Sequence, residues 1–71
     1  MERYRYYTTS RPPVPGGIPK EGLIQVCDFG KRVLVPSING FAWGYADYNR
    51  PLVRAEIYEY ELVGPRFAEE E

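Results

Sequence analysis

The sequence predicts an α+β fold: a small, twisted, mostly antiparallel sheet of about 4–5 strands, with one short helix near the C-terminus. Three observations predict it. Short stretches rich in Tyr, Thr, Val and Phe alternate with period two, as strands do. Seven Gly and seven Pro among 71 residues punctuate the chain too often for long helices. Only after Asn49-Arg50-Pro51 do apolar residues recur at helical spacing. The length allows one domain, expected over 1–65, followed by an acidic tail over 66–71.

The first expected strand is 2–9, where Tyr4, Tyr6 and Thr8 share an inward face and Arg3, Arg5 and Tyr7 the other. Residues 11–22 hold four Pro and three Gly. They read as an ordered connection laid across the domain, with a turn at Pro15-Gly16-Gly17. The other reading is a proline-rich ligand for a partner. Two strands are expected over 23–29 and 32–35, joined as a hairpin by Gly30-Lys31, with Pro36 ending the second. Asn39-Gly40 is the strongest turn signal, since both residues accept positive φ. In the following strand, 41–48, Phe41, Trp43 and Tyr45 share one face and Ala42, Gly44, Ala46 and Tyr48 the other. The small-residue face can pack closely against another backbone. A two-turn helix is expected over 51–58, with Asn49 or Arg50 at its cap and Pro51 in its first turn. A last strand, Tyr60–Val63, stops at Gly64-Pro65. The core is expected to gather Trp43 with Tyr4 or Tyr6, Val33 or Val35, Leu52 and Leu62.

Chemistry is excluded more readily than it is assigned. There is no His, which removes the usual general base and the commonest metal ligand. Cys27 sits beside Asp28 rather than a cation, so it reads as a small buried hydrophobe and not as a reactive thiolate. Ser10 and Ser37 read as turn residues. Glu56, Glu59 and Glu61 cluster but match no metal-ligand spacing. No catalytic, cofactor or metal residue is expected, and the chain is not expected to be an enzyme. No run of apolar residues approaches membrane-spanning length, and one cysteine cannot form an internal disulfide. Met1-Glu2-Arg3 opens no apolar leader, so a reduced, cytoplasmic location is expected.

Charge is balanced but uneven. Residues 1–32 carry six cations and three acids, and residues 33–71 three cations and seven acids. In a one-core domain these halves must be neighbours. Arg3, Arg5, Arg11, Lys31 and Arg32 are therefore expected to be answered by Asp47, Glu56, Glu59 and Glu61 across the sheet. Aromatic residues make up 15% of the chain and seven of them are Tyr; a small core whose rim the hydroxyls reach accounts for most of them. Tyr interleaved with Arg marks protein interfaces. It also marks stacking platforms for single-stranded nucleic acid, although the net charge of −1 opposes phosphate binding. The candidate interaction surface is Arg3, Arg5, Tyr7, Arg11, Pro12 and Pro13. Another protein is the expected partner, nucleic acid the alternative, and no membrane is expected.

The run Tyr6-Tyr7-Thr8-Thr9-Ser10-Arg11-Pro12-Pro13-Val14-Pro15-Gly16-Gly17-Ile18-Pro19 is followed by Ala42-Trp43-Gly44, Tyr48-Asn49-Arg50-Pro51-Leu52 and Tyr60-Glu61-Leu62. Together these resemble a class of small bacterial, phage and mobile-element proteins, some labelled as related to the defence-against-restriction protein DarA. The resemblance spans about residues 4–64. It implies a small non-catalytic accessory protein, of a kind that protects incoming DNA. Where that class has a polar, acidic helix after Pro-Leu, this chain has Val53-Arg54-Ala55.

Overall fold

The computed structural model describes residues 3–14 and 16–64. Pro15 of the expected turn and the acidic tail 66–71 lie outside the described residues. Four strands form one antiparallel sheet among the described residues: β1 (Tyr4–Thr8), β2 (Leu23–Val35), β3 (Gly40–Tyr48) and β4 (Leu62–Val63). Their order is β2-β3-β1-β4, and α1 (Arg54–Tyr60), the one α-helix among the described residues, precedes β4 in the chain.

The expected hairpin at Gly30-Lys31 does not form. The two stretches around it are one strand, β2, which brings the strand count to four. Asp28 Oδ1 accepts a hydrogen bond from the Gly30 N–H at 2.8 Å, and Gly30 takes φ +79°. This local loop is a bulge rather than a reversal. Before it, Val26 and Asp28 pair with Ala46 and Gly44; after it, Val33 and Val35 pair with Ala42 and Gly40. Both halves find the same partner strand, and that keeps the chain direction unchanged. The reversal comes at Pro36–Ile38, a 3-10 turn closed by Asn39 at φ +57°. The Asn39-Gly40 turn signal is thus met by Asn39, and Gly40 already belongs to β3.

Alternation along β3 decides which face becomes the core. Ala42, Ala46 and Tyr48 are fully buried, while Trp43 and Tyr45 are half-buried on the opposite face and Phe41 is exposed. Trp43 therefore lies outside the core in which the sequence placed it. The reason is steric: alternation puts Trp43 on the face opposite Gly44, and the inner face is covered closely at Gly44. A Cβ on Gly44 would lie 2.8 Å from the Pro13 ring and would run into the Cys27 carbonyl oxygen. The bulk comes from Tyr48 at the end of β3 and from other segments. Tyr6, Ile18, Ala46, Tyr48, Leu52, Ile57 and Leu62 form the core cluster, with Tyr4 and Tyr60 packed against it.

Two tyrosines fasten the covering segments to that core. The Tyr6 and Tyr48 rings meet edge to face, 5.9 Å apart at 72°. The Tyr48 hydroxyl donates to the Pro19 carbonyl at 2.6 Å, which ties down the end of the proline-rich connection. The Tyr6 hydroxyl accepts the Leu52 N–H at 2.8 Å, which ties down the approach to α1. Burial pushes both phenols above their ordinary value of 10.0, so both stay protonated across the neutral range. The proline-rich segment is the ordered connection expected. The Val14 carbonyl accepts the Gly17 N–H at 2.9 Å, with Gly16 at φ +88°, and Pro13, Ile18 and Pro19 are buried.

The helix starts three residues later than expected, at Arg54 instead of 51. Leu52 is drawn into the core and its N–H is held by Tyr6, so the chain stays extended through Val53. The cap is Val53, not Asn49 or Arg50. Valine has no side-chain acceptor, so only the returning half of a capping box exists: Glu56 accepts the Val53 N–H at 3.2 Å. Arg50 binds the same carboxylate through two bonds of 3.0 Å, which holds the Glu56 carboxyl below its ordinary value. Glu61 in the left-handed region ends the helix and shortens the last strand to Leu62–Val63.

Replacing Tyr6 with Phe should leave the buried Leu52 N–H without an acceptor and cost about 1–3 kcal/mol. Replacing Tyr58, which is 71% exposed, with Phe should stay within about 0.5 kcal/mol. Urea denaturation of the two variants beside the parent checks the difference.

Candidate functional site

The outer face of the sheet is built from residues that alternate away from the core. Arg3, Arg5 and Tyr7 project there beside and along β1, and the register sets Arg5 against Asp47 and Tyr7 against Tyr45. Asp47 is fully buried although it is an acid on a half-open face. Its burial depends on complete pairing. Arg5 Nε donates to Oδ1 at 2.8 Å and Arg5 Nη2 to Oδ2 at 3.0 Å, while Arg3 Nε lies 3.6 Å from Oδ2. This is the planar two-bond geometry that guanidinium and carboxylate share. The bonds to Asp47 push the Arg5 pKa further above its ordinary value, so Arg5 is a permanent cation.

The Arg5 guanidinium also lies 3.8 Å from the centroid of the Tyr45 ring, in cation–π range. Tyr45 in turn contacts Tyr7 and Phe29, each with centroids 5.9 Å apart. One ring thus joins β1, β2 and β3 on this face. Next to it a cavity of about 500 Å³ is lined by Arg3, Tyr4, Arg5, Tyr7, Ser37, Ile38 and Gly64. α1 and the proline-rich connection contribute Ile57 and Ile18 to the core on the inner side, and neither lines this cavity.

Of the six residues the sequence nominated, the structure brings Arg3, Arg5 and Tyr7 together at this cavity. Arg11 stands apart, its Nη2 3.8 Å from Glu61. Pro12 is half-buried. Pro13 is buried against Gly44 on the opposite face, so it does not belong to an exposed surface. Sequence reasoning missed Ser37, Ile38 and Gly64, which reach the cavity only through the 3-10 turn and the β1–β4 pairing. Asp47 offered a usable signal: it is the only charged residue of β3, and a lone acid in a strand marks where a cation must cross.

The expected charge pairing is met for Arg3, Arg5 and Arg11, with Asp47 and Glu61 as the acids. Glu56 answers Arg50 instead. Among the described residues no carboxylate pairs with Lys31 or Arg32, and the Arg32 guanidinium lies 5.2 Å from the Phe41 ring centroid. Cys27 is a further correction. It is half-buried on the outer face opposite Tyr45, because the inner positions of this stretch fall to Val26 and Asp28. Among the described residues no helix is long and apolar enough to cross a membrane.

The chain belongs to the family described as Defence against restriction A C-terminal, whose model matches residues 1–66. No curated protein and no solved structure matches it.

Asp47→Asn should replace one acceptor facing the Arg5 fork with a donor and cost about 1–3 kcal/mol. Arg11→Gln removes only an exposed pair and should cost about 0–1 kcal/mol. Equal losses in urea denaturation would show that Asp47 pairing does not hold the face together.

Proposed function

We propose that this member of the defence against restriction family is a non-catalytic accessory module of a phage or mobile element. It works by binding another protein through its outer face. The observation that carries the reading is the 500 Å³ cavity, where Arg3, Arg5 and Tyr7 converge on an uncovered sheet face. Fixed guanidinium groups beside tyrosine rings are the composition of energetic centres in protein interfaces. Exposed Phe41 and Leu34 extend the same face with apolar area. The family description places its members with defence against restriction, and a chain of this size contributes to that task by holding a partner in place.

Nucleic acid fits this face less well. Arg5 spends its Nε–Nη2 edge on Asp47, and Arg3 leans on the same carboxylate. Phosphate contacts release counterions only when free cations supply the charge. Here one acid offsets part of two cations.

The test uses Arg3→Glu and Ser37→Arg, two exposed positions lining the cavity. Ser37→Arg should leave the thermal melt unchanged, whereas Arg3→Glu also sets an acid beside buried Asp47 and should lower it. Each should lower survival of the element's DNA in a restricting host by about tenfold or more, the equivalent of about 1.4 kcal/mol of lost binding. Unchanged survival would remove this face from the function. A labelled oligo-dT titrated at low salt should show no saturable change in polarisation, and salt-sensitive micromolar binding would put nucleic acid in the partner's place.

A further inference from the structure

We propose that the cavity beside Arg3 and Arg5 receives an acidic segment of the partner protein, with one aspartate or glutamate carboxylate of that partner lodged between the two guanidinium groups. The inference deepens the reading of this face as a protein-binding one and rests on it.

The charge count carries it. Arg3 and Arg5 both line the cavity, and among the described residues no acid lines it. The carboxylate they share, Asp47, is 0% exposed, whereas the side chains of Arg3 and Arg5 are 50% and 43% exposed. The acid is hidden behind the cations, so an approaching partner meets guanidinium. The other ion pairs of the described residues, Arg11 with Glu61 and Arg50 with Glu56, are one to one. At Asp47 two cations face one acid, and one positive charge is left over.

The donors left over suit a carboxylate. Arg5 spends Nε and Nη2 on Asp47, which leaves the edge that carries Nη1. Its plane is already held by those two bonds and by the Tyr45 ring 3.8 Å away. A guanidinium fixed in advance loses little freedom when a second carboxylate meets it edge to edge. Arg3 Nε stands 3.6 Å from Asp47, beyond hydrogen-bond distance, so Arg3 keeps donors to turn toward the cavity. Exposed Ser37 adds a hydroxyl at the rim.

One surplus charge matches one carboxylate. A phosphate monoester carries about −1.5 to −2 and would leave negative charge unanswered. A nucleic-acid strand needs a row of free cations, and a single one gives it little counterion release. The chain's own Glu69, Glu70 and Glu71 are the rival source of carboxylate. Gly64 lines the cavity, but after it the sequence brings Pro65 and Arg66 before any acid. A cation thus comes first toward a cationic site, and a foreign segment free of it is the better match.

Fluorescence polarisation of the whole chain with a dye-labelled tetraglutamate peptide, blocked at both ends, tests this. Binding should saturate and should weaken as salt rises, while blocked tetraglutamine should not bind. Arg3→Gln and Lys20→Gln each remove one exposed cation, but Lys20 lies away from this cavity. Arg3→Gln should weaken binding by about fivefold and Lys20→Gln should leave it unchanged. Ser37→Glu, which sets an acid at the rim, should weaken it by about tenfold or more. Thermal melts confirm that each variant is folded. Equal losses in Arg3→Gln and Lys20→Gln overturn the proposal, because net charge alone would then explain them. So does oligo-dT binding that Arg3→Gln weakens, which makes nucleic acid the occupant. Joint Glu69→Gln, Glu70→Gln and Glu71→Gln overturns it if tetraglutamate then binds tenfold tighter, since the chain's own segment would be the occupant. A parent chain that ignores tetraglutamate overturns it too. If Ser37→Arg still lowers survival of the element's DNA in that case, the protein-binding reading stands without this inference.

Discussion

Everything in this fold follows from how closely the backbone approaches β3 at Gly44. The Pro13 ring, the β2 backbone at Cys27 and the Thr8 hydroxyl, which donates to the Gly44 carbonyl at 3.3 Å, all converge there. No side chain beyond hydrogen fits. Strand geometry then assigns the rest of β3: Ala42, Ala46 and Tyr48 share the inner face with Gly44, and Phe41, Trp43, Tyr45 and Asp47 must point outward. Apart from Tyr48, β3 gives the core little side-chain volume, so the core must import bulk. It does so from Tyr6, Leu52, Ile57, Leu62 and Ile18, which arrive from every other part of the chain.

The same constraint produces the outer face. Large rings excluded from the core gather around Tyr45, and an acid excluded from the core must still be neutralised. Arg5 does both tasks at once, through two bonds to Asp47 and its stacking over Tyr45. Binding capacity is thus a consequence of packing. The residues that cannot fit on the closely covered side are those suited to recognition on the open one. Placing the proline-rich segment inward serves this division, because a connection with four prolines can cover a sheet without needing hydrogen bonds from their missing N–H groups.

Much of this was legible in the sequence where a local rule decides. Period-two alternation assigned the faces of β1 correctly and grouped those of β3 correctly without telling which turns inward, and the Asn39 turn followed from its tolerance of positive φ. The sequence also carried Arg3, Arg5 and Tyr7, since alternation alone groups them. What was not legible required knowledge of who covers what. Trp43 looked like core because it is large and apolar, yet it alternates with Gly44, whose side of the strand is the covered one. Gly30 looked like a hairpin because Gly permits reversal, but Val33 and Val35 found continuing partners on β3 and the chain went straight on. The helix start shifted because Tyr6, forty-six positions away from Leu52, holds the N–H there. Each miss is a long-range contact overruling a local preference.

The central claim is that Pro13 and Gly44 pack as a unit and thereby decide which face is buried. A double-mutant cycle in urea measures this directly, with Gly44→Ala, Pro13→Ala and the pair. The account predicts that Gly44→Ala costs about 1–3 kcal/mol by overpacking. It also predicts that the cost is smaller once Pro13 is cut back, with a coupling of at least about 0.5 kcal/mol. Strictly additive losses, or a Gly44→Ala variant as stable as the parent, would contradict it.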